Sequence, residues 1–246
     1  MDLNYTPLVD KFMTFFRVRE SLSQMALDVD RDFKKPFITI AREPGSGGVP
    51  IAKAVAKKLG FICLDEQVID EIASSTKMRK ELIKAVDEKN RTHVEDIVQS
   101  LLNPDYVDDI KYVTELTKVI LTYALQGQVV IVGRGANFLT PFAKGLHVNI
   151  TAPYEIRVQR AMDFEGFSRK KAEEVIVKVE RERKEFVKQY FRRDPSKINS
   201  YDITLNTAFF SVEQSRDLII DAFWHKFPWY KQAFSFFTRS VPLPEK

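Results

Sequence analysis

The sequence predicts an α/β fold in which a parallel sheet is flanked by helices, with helical extensions at both ends of the chain. Two observations predict it. Short apolar, β-favouring runs alternate with stretches of helical periodicity between residues 37 and 222, a pattern typical of parallel sheets with crossover helices. The chain also has 246 residues, of which 44% are hydrophobic, enough for the core of one large domain with extensions.

Composition narrows the classes of function. The net charge of +4 and the isoelectric point near 9.0 suit a small phosphate-bearing ligand, but the excess is too dilute to indicate nucleic acid, and a solvated basic surface explains it equally well. The single cysteine, Cys63, excludes an intramolecular disulfide and a cysteine-based zinc site. Three histidines without metal-site spacing argue against a metal centre. With no signal-peptide pattern and no apolar run of ~18 residues, we expect a cytoplasmic protein without a membrane span.

The stretch 37–60 reads FITIAREPGSGGVPIAKAVAKKLG and organises the chain. It predicts a buried strand, a glycine-rich turn and an amphipathic helix that stops at Gly60. A turn of this kind at a helix N-terminus presents backbone N–H groups to an anion, so we predict a phosphate-binding loop at 45–48. The bare Walker A motif is not met, because Gly48 and Val49 stand at its lysine and hydroxyl positions. The alternative is a tight turn whose glycines serve steric needs only.

The alternation continues beyond this helix. Residues 61–64 predict a short strand with Asp65 at its carboxyl end, where α/β sheets place ligand groups. Residues 66–126 predict mainly helices, one of them with apolar spacing over 107–125 that ends at Gly127.

A second buried strand at 128–132 runs into a turn with an arginine between two glycines, Gly133-Arg134-Gly135. At a strand's carboxyl end this arginine is well placed to meet an anion, and a turn with a solvent-facing arginine is the alternative. Residues 146–152 predict the next strand, and a helix begins near Tyr154.

A long helix over 169–193, with Ser168 as its N-cap, is rich in lysine and arginine. A solvated surface helix explains most of these charges. Arg181, Lys184 and Lys188 nevertheless share one face and predict a cationic ridge.

The end of the chain predicts one more strand, at 201–206, and a final helix that Ser211 or Val212 opens. The following tail, 223–246, is dense in aromatic residues and predicts a core extension, a dimer face or a membrane-touching edge. We favour packing against the aromatic segment within 1–36.

Several of these stretches together carry a resemblance: ITIAREPGSGGVPIAKAVAKKLG, FICLDEQVI, VVIVGRGANFL, HVNITAPYEIRVQRAM, ERERKEFVKQYF and DPSKINSYDITLNT. In this order they resemble the cytidylate kinase-like family, a branch of the P-loop nucleoside monophosphate kinases. The resemblance implies a three-layer P-loop kinase domain over 37–222, with a helical acceptor-binding insertion at 66–126 and a lid-like segment at 165–195. The helical extension 1–36 and the aromatic tail 223–246 lie outside it.

The resemblance also implies roles for single residues. The cradle for the phosphates of ATP would be Gly45, Ser46, Gly47 and Gly48. Asp65 and Arg134 would meet the acceptor, Ser46 is the nearest candidate ligand for Mg²⁺, and Asp65 the next. The expected catalytic residues are Arg42, Asp65, Arg181 and Arg183.

Two departures from the family pattern stand out. Gly135 replaces an aspartate that follows the arginine, and Val49 replaces a loop arginine. The loop thus lacks its own cation, for which Arg42, placed one residue past the first strand, or the lid arginines would substitute.

The leading hypothesis is an ATP- and Mg²⁺-dependent phosphotransferase that acts on a nucleoside monophosphate or another small acceptor, with cytidylate as the first candidate. The second is a nucleotide-binding or regulatory protein with an impaired kinase fold. The third is an assembly protein in which the aromatic terminal segments form the functional surface, for example a homodimer contact. Nucleic acid is not an expected partner.

Overall fold

The computed structural model describes residues 33, 35–75, 77, 78, 82, 94 and 110–231. Within these residues the sheet has five parallel strands in the order β2-β3-β1-β4-β5. The strands are β1 (Phe37–Arg42), β2 (Ile62–Leu64), β3 (Val129–Val132), β4 (Gly145–Thr151) and β5 (Ile203–Asn206). The central strand is therefore the one that leads into the glycine-rich loop.

Helices cover both faces of the sheet, which confirms the predicted three-layer α/β architecture. They are α1 (Gly48–Leu59), α2 (Glu66–Ser74), α3 (Ile110–Gln126), α4 (Ala136–Leu139), α5 (Tyr154–Glu165), α6 (Arg169–Phe191) and α7 (Val212–Lys226), with a 3-10 turn at Ile198–Ser200. One core lies between the sheet and α1 and α7, around Ile38 and Ile40. The other lies between the sheet, α2, α3 and α6, around Phe37 and Ile131. This pairing of faces follows from the period-2 alternation of side chains in β1.

Local signals in the sequence predict the ends of several elements correctly. Gly60 ends α1 in a left-handed conformation (φ 67°). The Ser168 side chain accepts the N–H of Lys171 at the start of α6, and Ser211 forms a full capping box with Gln214 at the start of α7. These signals act within a few residues of the chain and need no tertiary contact.

One strand is longer than its sequence pattern predicts. Arg42 was expected one residue past β1, but it is the last residue of the strand, where it pairs with Ile150 of β4. The expectation was wrong because a polar residue at a strand end keeps its place in the ladder when the neighbouring strand continues. The ladder therefore fixes the direction in which the Arg42 side chain leaves the strand.

The predicted extensions are described only in part. The expected helical extension 1–36 lies outside the described residues except at 33, 35 and 36. Within the predicted insertion 66–126, the part between 79 and 109 also lies outside them except at 82 and 94. The first residues of the aromatic tail extend the core, since Phe223, Phe227 and Tyr230 are buried on the α1 side of the sheet. Residues 232–246, and any contact of the tail with the N-terminal segment or a second subunit, lie outside the described residues. None of the helices described could cross a membrane.

Candidate active site

The loop between β1 and α1 has the backbone of an anion cradle. Gly45 and Gly47 have φ values of 76° and 83°, in the left-handed region that glycine adopts without steric cost. Gly47 is the N-cap of α1, no side chain caps this helix, and its first turn contains no acidic residue. The N–H groups and the partial positive charge of this helix start therefore lack a side-chain counterpart, as a phosphate-binding loop requires.

Two arginines of α5 hold this loop in place. Arg160 donates to the Ser46 carbonyl oxygen at 3.2 Å and to the hydroxyl oxygen of Thr207 at 2.9 Å. The Ser46 hydroxyl is fully buried and donates to the Glu43 carbonyl oxygen at 2.8 Å. Arg157 is buried behind the loop, where its carbonyl oxygen would lie 2.7 Å from a Cβ atom at Gly45. The loop is thus packed from behind, and only a glycine fits at position 45.

Three arginines from distant parts of the chain converge on one carboxylate. Arg42 from the end of β1 forms an ion pair with Glu66 at the start of α2. Arg134, in the turn after β3, lies 3.4 Å from the other Glu66 oxygen, and Arg183 of α6 lies 3.2 Å from the oxygen that Arg42 contacts. We call Arg42, Arg134 and Arg183 the arginine cluster.

A second carboxylate completes the charge balance. Asp70, one helical turn after Glu66, forms an ion pair with Arg134 and accepts the Tyr112 hydroxyl hydrogen at 2.7 Å. The Arg134 guanidinium also lies 5.6 Å from the centre of the Phe186 ring. Arg134 is therefore oriented by two carboxylates and an aromatic face before any ligand arrives.

The charges in the arginine cluster interact strongly, and some of its N–H donors have no partner among the described residues. Burial by itself would raise the pKa of the Glu66 carboxyl, but the charges of the three arginines, led by Arg42, outweigh burial and hold this pKa below its ordinary value. Burial and the neighbouring charge of Arg42 lower the pKa of Arg183. The Nε atoms of all three arginines are buried and have no hydrogen-bond partner among the described residues. Such donors fit an additional anion.

The arginine cluster lines a cleft of about 840 Å³ between the strand ends and α6. Its wall on the sheet side is neutral and polar, formed by Asn149, Thr151 and Thr204 of β4 and β5. Charged and neutral hydrogen-bonding groups thus share one cavity, large enough for a small-molecule ligand.

The structure separates the predicted site residues into two groups. Arg42, Arg134 and Arg183 meet in the cleft. Asp65 does not line it: its carboxylate accepts the N–H of Val68 as the N-cap of α2 and lies 3.5 Å from Lys53.

Arg181 is exposed on α6 and is not part of the cleft wall either. Residues two apart on a helix point about 200° away from each other, so Arg181 and Arg183 cannot share one face. The catalytic role of Arg181 stays a prediction.

Sequence reasoning missed the carboxylates that organise the site. Glu66 and Asp70 are spaced i, i+4 at the start of α2, a spacing that places both on one helical face. The same spacing argument, i and i+3, applies to Arg157 and Arg160 of α5. Helical spacing was thus the available signal for all four.

The departure at Gly135 has a steric cause. Gly135 has φ 66°, and a Cβ atom there would lie 2.7 Å from the Phe191 ring of α6. Glycine at this position lets the last turn of α6 approach the turn that carries Arg134.

The fold and the cleft define a P-loop kinase-type protein: a central strand, a glycine cradle and a helix, with cations at the carboxyl ends of the strands. The chain belongs to the cytidylate kinase-like family, whose family model matches residues 37–208.

Known relatives differ in how much of the chain they cover. A cytidylate kinase from Sulfolobus acidocaldarius is 25% identical over 183 residues, 74% of this chain and 91% of that protein. A uronate isomerase from Corynebacterium glutamicum is 30% identical over 118 residues, 48% of this chain but only 23% of the isomerase. The solved structure of an uncharacterized protein from Eubacterium ventriosum has the same fold, with a TM-score of 0.58 and 21% identity over 76% of this chain and 98% of that one.

Proposed function

We propose that the protein is an ATP-dependent phosphotransferase whose acceptor is a nucleoside monophosphate or another small anionic molecule, with cytidylate as the first candidate. The observation that carries this proposal is the arginine cluster, which has Nε donors without a partner among the described residues and whose Arg42 stem lies against Gly48 of the glycine cradle. Family membership supports the choice of acceptor. Phosphoryl transfer needs mainly positioning of the two substrates and neutralisation of charge on the phosphoryl oxygens. A cradle and a set of cations are the parts for that task.

The residues divide the task between donor and acceptor. The backbone N–H groups at Gly45 to Gly48 would hold the nucleotide phosphates, which replaces hydration water by fixed dipoles. Arg134 and Arg183 would bind the acceptor's anionic group in the cleft, where Glu66 and Asp70 orient them.

The charge on the nucleotide also requires a cation. Bound Mg²⁺ supplies neutralisation of the phosphates, and it commonly keeps several waters and few protein ligands. Among the residues described, no group of three histidines, cysteines or carboxylates could hold a metal ion. The Ser46 hydroxyl is fully buried and donates to the Glu43 carbonyl oxygen, so it would have to turn toward the phosphates to serve as a single ligand. Asp65, at the end of β2, is the alternative.

The test is ADP formation with millimolar Mg·ATP and a panel of nucleoside monophosphates. We expect turnover with at least one pyrimidine monophosphate. Arg134→Met and Arg183→Met should each lower kcat/KM by about 10²–10³. The matched control is Lys178→Met, which removes an exposed cation of α6 outside the cleft, and its activity should stay close to that of the unmodified protein. A folded protein without turnover on any acceptor would contradict the proposal.

A second candidate function follows from the loop itself. Gly48 and Val49 remove the lysine and the hydroxyl that a Walker A loop uses on the β- and γ-phosphates and Mg²⁺. This favours a protein that binds nucleotide and regulates a partner without phosphoryl transfer. Calorimetry distinguishes the two: saturable ATP binding without ADP release supports the regulatory protein, and turnover excludes it.

A further inference from the structure

Arg42 and Gly48 compete for the same space. The β1 residues Ile38, Ile40 and Arg42 alternate toward the face of the sheet that α1 covers. A Cβ atom on Gly48 would lie 2.5 Å from the Arg42 Cβ and 2.8 Å from its Cγ, whereas nonbonded carbon atoms need about 3.5 Å. No side chain fits at position 48 while a Cβ stands at position 42. The missing loop lysine and the arginine at the strand end are therefore two aspects of one packing arrangement.

The Arg42 side chain runs from the start of α1 to the turn after β3. Its stem covers Gly48, and its guanidinium is the group nearest to a Cβ position at Gly133, next to Arg134. The side chain is only 6% exposed, and its Nε–H has no partner among the described residues. The Arg42 charge thus lies between the glycine cradle and the turn that carries Arg134, although Arg42 itself is the last residue of β1.

We propose that Arg42 takes the place of the loop lysine and binds the phosphoryl group that is transferred between donor and acceptor. The inference rests on the proposed function, because it assigns a catalytic residue to that reaction. A Walker lysine starts from the first helical residue and reaches the β- and γ-phosphates. Arg42 fills the path of that lysine and places a planar guanidinium in the same region, with N–H donors that match two phosphate oxygens.

The proposal is tested by moving the cation back to the loop. The informative variant is Arg42→Gly/Gly48→Lys, in which loss of the Cβ at position 42 makes room for the lysine. Its matched control, Arg42→Ala/Gly48→Lys, keeps the Cβ and therefore the overlap. The single variants Arg42→Gly and Gly48→Lys complete the set.

We expect Arg42→Gly to lose about 10²–10³ in kcat and at least tenfold in affinity for ATP. Gly48→Lys should lower Tm and activity because of the overlap. Arg42→Gly/Gly48→Lys should have at least tenfold higher kcat and at least tenfold higher ATP affinity than Arg42→Gly. The alanine control, Arg42→Ala/Gly48→Lys, should recover neither quantity. Equal ATP affinity and kcat of Arg42→Gly and its lysine double variant would overturn the proposal, as would a fully stable and active Gly48→Lys.

Two further readouts keep the result decisive. If the unmodified protein turns over no acceptor, the proposed function fails, but ATP affinities measured by calorimetry still decide whether the cation is exchangeable. If the glycine variants do not fold, Arg42→Lys and Arg42→Met provide the test, because both keep a long aliphatic stem and differ in charge. Arg42→Lys should retain at least tenfold more ATP affinity than Arg42→Met, and equal losses would refute the role of the charge.

Discussion

Glu66→Gln is the sharpest test of the arginine cluster as an anion site. The substitution keeps the shape of the side chain and a carbonyl oxygen that can still accept hydrogen bonds, but it removes the charge that three arginines contact. Arg134 keeps its second carboxylate, Asp70. Arg42 and Arg183 are left without a charged partner among the described residues. The variant should therefore be less stable and should bind anions more tightly.

The magnitude follows from burial. Removing one partner of a fully buried ion pair costs about 3–5 kcal/mol. The Glu66 side chain is 27% exposed and the amide still accepts hydrogen bonds, so we expect a loss of about 2–3 kcal/mol, which corresponds to a fall in Tm of about 5–10 °C. The folded state lowers the pKa of Glu66, so its contribution is present above the unfolded pKa and is lost as the pH falls through the folded pKa. The stabilities of Glu66→Gln and the unmodified protein should therefore be compared at pH 7.

The assay is thermal unfolding in a buffer free of phosphate, with and without sulfate. Sulfate at 100 times its Kd adds about 2.7 kcal/mol to the stability of any protein that binds it at one site. Glu66→Gln should therefore regain most of its lost Tm in sulfate, and the unmodified protein should gain less. Glu174→Gln, an exposed position on α6, is the control for general salt effects. A Glu66→Gln protein that sulfate stabilises no more than the control would refute the reasoning.

Three further predictions concern the fold. Burial lowers the pKa of His147 to about 4, below its unfolded value of about 6.5. Denaturant titrations should therefore show full stability above about pH 6.5 and a loss of up to about 3 kcal/mol in the free energy of unfolding as the pH falls toward 4. His147→Gln should make stability depend less on pH in this range. Gly135→Asp restores the aspartate of the family pattern but collides with Phe191; urea unfolding should show it at least about 1 kcal/mol less stable than Gly166→Asp, which has a similar φ and no neighbour within 4 Å. Phe223→Ala should cost about 3–5 kcal/mol because its ring is fully buried, and a loss below 1 kcal/mol would exclude the tail from the core.

The order and type of the elements could be predicted from the sequence because their causes are local. The apolar run at 129–132 and the alternating face of α1 report burial directly. Ser168 and Gly60 report helix ends through hydrogen bonds that reach only a few residues.

The sequence predicted candidate site residues, but it could not show which of them line the cleft. Asp65 and Glu66 are both acidic and adjacent. Asp65 keeps an extended backbone and caps α2 with its carboxylate, whereas Glu66 is the first helical residue and lines the cleft. Arg181 and Arg183 lie about 200° apart around α6, and only Arg183 lines the cleft.

The sequence by itself determined the parallel α/β sheet, the glycine cradle and the shortage of a loop cation, since each is a property of neighbouring residues. Only the tertiary structure decided which of the cations meet in the cleft. The strand order β2-β3-β1-β4-β5 places the end of β1 beside the end of β3, which brings Arg42 to Arg134 and Glu66. The tertiary structure also shows why Gly48 is glycine. The Arg42 stem at the end of β1 packs against the start of α1 and leaves no room for the Cβ of a lysine.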